Sequence, residues 1–158
     1  MLLGKITEIN TLEGKLFLCV VLDLFSKLVV GWSMHHRQDR YMAIRAVQMA
    51  VWQRQQRGKV ILHSDRGCQF TSTDYQRYLG KKSIISSMSA VGHCGDNAAC
   101  ESFFGVLKRE RIQHRSYRTR DEARADVFDY IERFHNPRMR RRVAQQDLKF
   151  TSFLKPSV

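Results

Sequence analysis

The sequence lacks the long hydrophobic run of a membrane-spanning helix and the leader of a secreted protein. Its longest uncharged apolar stretch, residues 16–22, has seven residues, whereas a spanning helix needs about 20. The first residues, 1–5, contain neither the apolar segment nor the cleavage site of a secretory signal. We therefore expect no membrane span and no exported protein.

The sequence also lacks the cysteine pattern of a zinc or disulfide scaffold. Its four cysteines, Cys19, Cys68, Cys94 and Cys100, form no CxxC pair, and no histidine falls at zinc-finger spacing from them. Cys19 lies within an apolar run and is typical of a small core residue. These features indicate a reducing compartment such as the cytoplasm.

The chain has a large excess of basic residues and enough apolar ones to build a core. Its 158 residues include 27 Lys and Arg against 15 Asp and Glu, a formal net charge of +12, and 43% are hydrophobic. That hydrophobic content excludes a disordered basic tail. A compact domain this basic is expected to meet a polyanion, with nucleic acid as the first candidate. Solubility through net charge and a ribosome-type RNA contact are the alternatives.

The order of predicted elements favours one α/β domain. An antiparallel meander comes first, followed by alternating strands and helices and then by two helices. The predicted strands cover residues 6–9, 16–24, 28–34, 60–63 and 83–87, and the predicted helices cover 39–57, 73–80, 96–112 and 119–134. Asn136-Pro137 is expected to end the last helix, which leaves residues 138–158 as a basic, irregular tail.

Two carboxylates are candidates for a metal site. Asp65 follows a predicted strand, at the edge where open α/β sheets place ligand groups. At 100° per residue, Glu101 shares one side of its helix with Asn97 and Lys108, away from an apolar side that includes Phe103. If that apolar side docks on the sheet, Glu101 comes near Asp65, and the pair would suit Mg²⁺ or Mn²⁺. A turn residue and a solvated glutamate are the alternatives.

Several short sequence motifs are more specific than the two carboxylates taken alone. They are GKLFLCVVLDLFSK at 14–27, VGWSM at 30–34, HSDRG at 63–67, and DNA at 96–98 followed by ESFF at 101–104. Thirty-five residues lie between Asp65 and Glu101. Over residues 4–137, the chain resembles the catalytic core of the transposase and retroviral integrase superfamily, especially the OrfB-type transposases of bacterial insertion sequences.

The resemblance implies a fold, an activity and a set of partners. The fold would be RNase H-like, a mixed sheet of three antiparallel strands and then parallel strands, flanked by helices. The activity would be DNA cleavage and strand transfer with Asp65 and Glu101 as catalytic metal ligands, using two Mg²⁺ or Mn²⁺ ions. The partners would be double-stranded DNA, as element ends and target, and further copies of the chain. The location would be the bacterial cytoplasm at the nucleoid.

One departure from the family concerns the first catalytic aspartate. The family has a Gly-Asp-Ile-Thr-like word on its first strand, whereas this chain has Lys5 at the Asp position. An ammonium cannot ligate a cation, although it could pair with Asp65. Glu8 cannot substitute, because positions 5 and 8 of a strand face opposite sides, and the family's counterpart of Asp23 is structural. We therefore expect impaired catalysis. The alternatives are an inactive DNA-binding remnant or oligomerisation partner, and a nuclease that cuts without joining.

Two further departures concern the ends of the chain. Relatives carry an upstream helix-turn-helix segment, and a His- and Pro-containing word closes their domain. Here the chain begins almost on the first strand, and RMRRRVA stands at 138–144. We therefore expect an N-terminally truncated catalytic core over 1–137 and a separate tail over 138–158.

The excess positive charge is concentrated after Glu101. A duplex that reached the metal site would run along these residues, and its contacts would go to phosphates. The resemblance implies DNA contact by Lys108 in particular, with an ordinary solvated lysine as the alternative. The predicted DNA-binding set is Lys108, Arg109, Arg111, Arg115, Arg118, Asn97 and Arg66. The run 138–142 is either a second phosphate contact or a solvated end.

Overall fold

The computed structural model describes residues 2–54, 60–64, 72–82, 84–88 and 98–154. The strands are β1 (Leu2–Thr11), β2 (Gly14–Asp23), β3 (Val29–His35), β4 (Val60–Ser64) and β5 (Ile84–Met88). The α-helices are α1 (Arg40–Arg54), α2 (Thr73–Lys81), α3 (Ala98–Glu110), α4 (Arg120–Asp129) and α5 (Asn136–Leu154). A short 3₁₀ turn, Ile112–His114, follows α3, and a π-helical turn, Tyr130–His135, joins α4 to α5. None of the helices in these ranges combines the length and apolar character needed to cross a membrane.

The five strands form one mixed sheet in the order β3-β2-β1-β4-β5. The β1–β2 and β2–β3 pairs are antiparallel, while β1–β4 and β4–β5 are parallel. This arrangement confirms the predicted meander followed by parallel strands. In the pairing of β1 with β4, Gly4 lies opposite Ser64, so the first residues of β1 are level with the C-terminal end of β4.

Side chains on the two faces of the sheet build two separate cores. On β2, Leu18 and Val20 enter the core formed with α3 and α4, whereas Cys19 and Val21 enter the core formed with α1 and α2. This alternation is the two-residue period of a strand that is buried on both faces. Helix α1 lies so close to β3 that a Cβ on Gly31 would come 2.0 Å from the Ala46 carbonyl oxygen.

The C-terminal segment differs from the prediction. Asn136-Pro137 does not end a helix, because α5 continues from Asn136 to Leu154 through most of the predicted irregular tail. The preceding π turn explains this continuation, since the Asn136 N–H donates to the Ile131 carbonyl, five residues back. Pro137, which has no N–H, therefore falls where the π pattern gives way to the α pattern. Residues 155–158 lie outside the described part of the chain.

The junction between the π turn and α5 holds the turn between β2 and β3. The Asn136 side chain accepts from the Val29 N–H at 2.9 Å and donates to the Val29 carbonyl at 3.0 Å. The His135 Nε2 lies 2.8 Å from the Lys27 carbonyl oxygen. Because a carbonyl can only accept, this nitrogen carries the proton in the neutral ring. Two side chains thus fix a turn more than 100 residues away in sequence.

We expect His135 to make the stability of the fold depend on pH. Burial, with a smaller contribution from Arg138, lowers its pKa below the ordinary value of 6.5, although the bond to Lys27 opposes this. The folded state thus binds this proton less readily, so the stabilisation is fully present above pH 6.5 and is lost as the pH falls below it. The slope contributed by His135 is at most about 1.4 kcal/mol per pH unit.

Urea unfolding between pH 7.5 and 5.5 measures this dependence. His135→Gln should show a shallower loss of stability with acidification, whereas His114→Gln, which changes an exposed histidine, should keep the slope of the parent chain. Equal slopes in all three proteins would show that His135 is not the responsible group.

Candidate active site

Strand β1 and helix α3 bring Lys5 and Glu101 together. Lys5 stands two residues after Leu3 and therefore faces the same side of the sheet, where Leu3 packs in one core cluster with Phe103. The Cys100 thiol approaches the Leu3 carbonyl at 3.9 Å, which sets α3 closely against β1. In this arrangement the Lys5 Nζ lies 3.4 Å from the Glu101 Oε1.

Helix α3 docks through the apolar side that the sequence predicts. Phe103 and Leu107 are buried, together with Cys100 and Phe104, while Glu101 stays exposed. The side chains of Lys5 and Glu101 are 25% and 48% exposed. Their ion pair is thus partly exposed to solvent, where it contributes little to the stability of the fold. It nevertheless places a positive charge next to the Glu101 carboxylate.

Three of the predicted site residues lie outside the described part of the chain: Asp65, Arg66 and Asn97. Asp65 follows Ser64, the last residue of β4, and Ser64 pairs with Gly4 beside Lys5. Of the two predicted metal ligands, only Glu101 is therefore described. A pair between Lys5 and Asp65 stays a prediction, because Asp65 is not described, and the contact that the structure shows is between Lys5 and Glu101.

The described residues of this site supply one carboxylate, that of Glu101, to the proposed metal position. Among residues 2–54, 60–64, 72–82, 84–88 and 98–154, no three His, Cys, Asp or Glu side chains are grouped as metal ligands. The site instead pairs one carboxylate, that of Glu101, with one ammonium, that of Lys5. An ammonium has no lone pair to offer a cation and repels it electrostatically.

The acidic residues within β1 and β2 are Glu8 and Asp23, and both have partners elsewhere. The Glu8 Oε2 lies 3.2 Å from the Lys15 Nζ across the hairpin. The Asp23 Oδ1 accepts from the backbone N–H groups of Phe25 and Ser26 at 2.8 and 3.2 Å. These contacts hold the Glu8 carboxylate on the β1–β2 hairpin and the Asp23 carboxylate in the turn that follows β2.

The predicted DNA-binding residues that the structure describes divide into those open to solvent and Arg111, whose side chain is engaged inside the fold. Lys108 lies two turns beyond Glu101 on α3 and lines a groove of about 550 Å³ together with Arg115 and the end of β1. Arg109 and Arg118 are exposed. Lys108 and Arg115 thus share one groove, and Arg109 and Arg118 add exposed positive charge on the segment that follows Glu101.

Arg111 belongs to an internal ion-pair network that the sequence analysis missed. Its Nη1 lies 2.6 Å from the Asp126 Oδ1 and 3.1 Å from the Asp129 Oδ2, and its side chain is 13% exposed. Arg115 contacts the same Asp126 oxygen at 3.2 Å, and the Tyr117 hydroxyl donates to the other one. Burial alone would lower the pKa of Arg111, but its bonds to Asp126 and Asp129 raise it. In the sequence, this network is indicated by the three-residue spacing of Asp126 and Asp129, which places both carboxylates on the same side of α4.

The sequence matches known families along most of its length. Residues 1–94 and 101–153 match two family profiles, each described as "Integrase core domain". The transposase InsF for insertion sequence IS3A of Escherichia coli (strain K12) is 49% identical over 133 residues, which cover 84% of this chain and 46% of that protein. The chain spans about half the length of the curated relatives it matches.

Solved structures share the fold at lower sequence identity. The HTLV-2 integrase catalytic core domain, solved in complex with magnesium in a trimeric form, has a TM-score of 0.64 at 18% identity, covering 85% of each chain. The catalytic domain of the Mos1 mariner transposase has a TM-score of 0.68 at 12% identity, covering 85% of this chain and 71% of that one. These likenesses confirm the expected RNase H-like fold.

Proposed function

The chain belongs to the integrase core domain family, and on that premise we propose that it is a catalytic core for DNA transposition with impaired polynucleotidyl transfer. The substrates would be the element ends and the target, both double-stranded DNA in the bacterial cytoplasm at the nucleoid. The match to transposase InsF supports the assignment to transposition.

The proposed impairment depends on one observation, the 3.4 Å contact between Lys5 and Glu101. Lys5 stands in the word where the family has its first aspartate, and it faces the Glu101 carboxylate across β1 and α3. The change from aspartate to lysine removes one negative charge and adds one positive charge. A cation close to both groups would lose its attraction to a carboxylate and meet repulsion from an ammonium.

The metal that the family implies would be held by Asp65 and Glu101. The magnesium in the HTLV-2 integrase core supports divalent metal use in this fold. When bound, such ions stabilise developing charge on the phosphodiester. In this chain, Lys5 is incompatible with the two-ion site of the family, so we propose weak metal binding as the physical cause of the impairment.

We propose that DNA lies along the basic surface of Lys108, Arg109, Arg115 and Arg118. Lys108 is about 10 Å along α3 from Glu101, at a rise of 1.5 Å per residue, which suits a duplex passing the site. Arg111 was in the predicted set, but its bonds to Asp126 and Asp129 favour a role in the fold. Arg66 and Asn97 remain predicted contacts.

Neutralising the exposed basic residues should weaken DNA binding uniformly across sequences. For each of Lys108→Gln and Arg109→Gln, we expect the slope of log affinity against log salt to fall by about one. Fluorescence anisotropy with two unrelated duplexes measures the slope, and Lys81→Gln on α2 serves as the control. A slope unchanged by both α3 substitutions, or reduced equally by the control, would contradict this surface.

A second candidate function is a catalytically inactive DNA-binding or oligomerisation partner. The Lys5–Glu101 pair favours this function, because the chain keeps the fold and the basic residues while a lysine stands where the family has a metal-binding aspartate. Homo-oligomers are expected under either function.

A nicking and joining assay on DNA that mimics element ends separates these functions. Slow Mn²⁺-dependent nicking with joined products supports an impaired transposase core. DNA binding without nicking, even in Mn²⁺, supports the inactive partner. Nicked products that are never joined would instead indicate a nuclease. Nicking and joining by the parent chain as fast as by Lys5→Asp would contradict the proposed impairment.

A further inference from the structure

A pocket of about 180 Å³ lies between α3, the π turn and α5. Apolar side chains form much of its wall: Leu22, Phe103, Val106 and Met139. On α3, the lining residues recur at three- and four-residue spacing, so they form one stripe of the helix. Glu101 is not among them, so this pocket is separate from the candidate active site although it uses the same helix.

The rim of this pocket is positively charged. Lys27, Arg138 and Arg142 line it from the β2–β3 turn and from α5. The Arg138 guanidinium lies 3.8 Å from the Glu110 carboxylate, a long contact for an ion pair. Within the described ranges of the chain, no acidic side chain forms an ion pair with Lys27 or Arg142. An apolar cavity ringed by such cations is complementary to an apolar group that carries an anion.

The β2–β3 turn fixes the position of Lys27 beside the pocket. The Lys27 N–H donates to the Asp23 carbonyl at 2.8 Å, which closes the turn with Lys27 at a φ of 62°. The His135 Nε2 holds the Lys27 carbonyl oxygen at 2.8 Å. The backbone of this lysine is therefore held on both sides.

We propose that this pocket binds a single aromatic or heteroaromatic ring carrying an anionic group, as in a pyrimidine nucleotide. A cavity of about 150 Å³ is large enough for benzene, so 180 Å³ accommodates one ring but not a stacked pair. The Ser102 hydroxyl, which also lines the pocket, supplies a hydrogen-bonding group for a ring heteroatom. The nucleotide is either free in solution or the unpaired end of a DNA strand. This inference does not depend on the proposed metal chemistry.

Isothermal titration of the full chain with thymidine 5′-monophosphate tests the pocket directly. We expect saturable 1:1 binding, at least about tenfold tighter than the binding of thymidine or of inorganic phosphate. Thymidine lacks the anion that the rim would bind, and phosphate lacks the ring that the cavity would bind. Ser102→Leu should abolish binding by filling the mouth of the pocket. Arg142→Gln should weaken it by about tenfold, while Arg140→Gln, an exposed change on the same helix, should leave it within about twofold.

A pair of duplexes identifies the source of the nucleotide. Tighter binding of a duplex with one unpaired terminal thymidine than of a blunt duplex, lost in Ser102→Leu, would identify the strand end. Equal binding of the two duplexes, with monophosphate binding retained, would identify the free nucleotide. Monophosphate binding no tighter than that of phosphate, or equal weakening by Arg140→Gln and Arg142→Gln, would overturn the pocket, since either result describes general attraction to a basic helix.

Discussion

Replacing Lys5 with aspartate should raise the affinity of this protein for Mn²⁺ by at least about tenfold. The substitution changes the local charge by two units next to Glu101, whose carboxylate lies 3.4 Å from the ammonium. It also supplies a hard oxygen ligand of the kind that Mg²⁺ and Mn²⁺ prefer. Calorimetric titration of both proteins with Mn²⁺ measures the difference.

Two control variants separate ligation from the removal of charge. Lys5→Met removes the ammonium without adding a ligand, so its affinity should lie between those of the parent and Lys5→Asp. Glu101→Gln in the Lys5→Asp background should return the affinity toward that of the parent. Equal affinities for the parent and Lys5→Asp would show that Lys5 does not occupy a metal-ligand position.

Replacing Asp126 with alanine should lower the free energy of unfolding by about 3–5 kcal/mol. The Asp126 carboxylate is 4% exposed and accepts from Arg111 and Arg115, with Tyr117 on its other oxygen. Its removal leaves the largely buried Arg111 guanidinium, 13% exposed, with the longer contact to Asp129 in place of two carboxylate partners. Removing one partner of a buried ion pair lowers the free energy of unfolding by more than the intact pair contributes to it, because the remaining charge stays desolvated.

Urea denaturation of the variant and of a matched control measures this loss. In Asp121→Ala, the aspartate removed is 89% exposed and pairs with Arg124 on the same helix, so the change should cost less than about 1 kcal/mol. Similar losses in the two variants would contradict the structural role assigned to Asp126.

The strands and most helices were predictable because their patterns are local. The seven-residue apolar run at 16–22 indicated the interior strand β2, and the Thr-x-x-Glu pattern at 119–122 is typical of the start of a helix, here α4. The structure confirms that start, since the Thr119 hydroxyl accepts from the Glu122 N–H at 3.1 Å. The continuation into α5 was not predictable, because it depends on a π turn and on bonds from Asn136 to a strand 107 residues away.

The candidate site was predictable only in part. The resemblance placed Lys5 at the first-aspartate position, and helix spacing placed Glu101 away from the apolar side of α3. The contact between Lys5 and Glu101 was not predicted and comes from the structure. The sequence could not distinguish basic residues that face solvent from those that form internal ion pairs, because Arg109 and Arg111 carry the same charge on one segment. Only the fold shows that Arg111 meets Asp126 while Arg109 remains exposed.

Mn²⁺-dependent nicking by the parent chain and by Lys5→Asp tests most directly whether Lys5 is a lost catalytic ligand. Both proteins should bind the same end-mimicking duplex through the unchanged basic surface, so binding serves as the internal control. We expect Lys5→Asp to nick the duplex at least about a hundredfold faster than the parent, as electrostatic and metal contributions of a few kcal/mol imply. Nicking by the parent at a rate equal to that of Lys5→Asp would contradict the proposal that Lys5 disables the site.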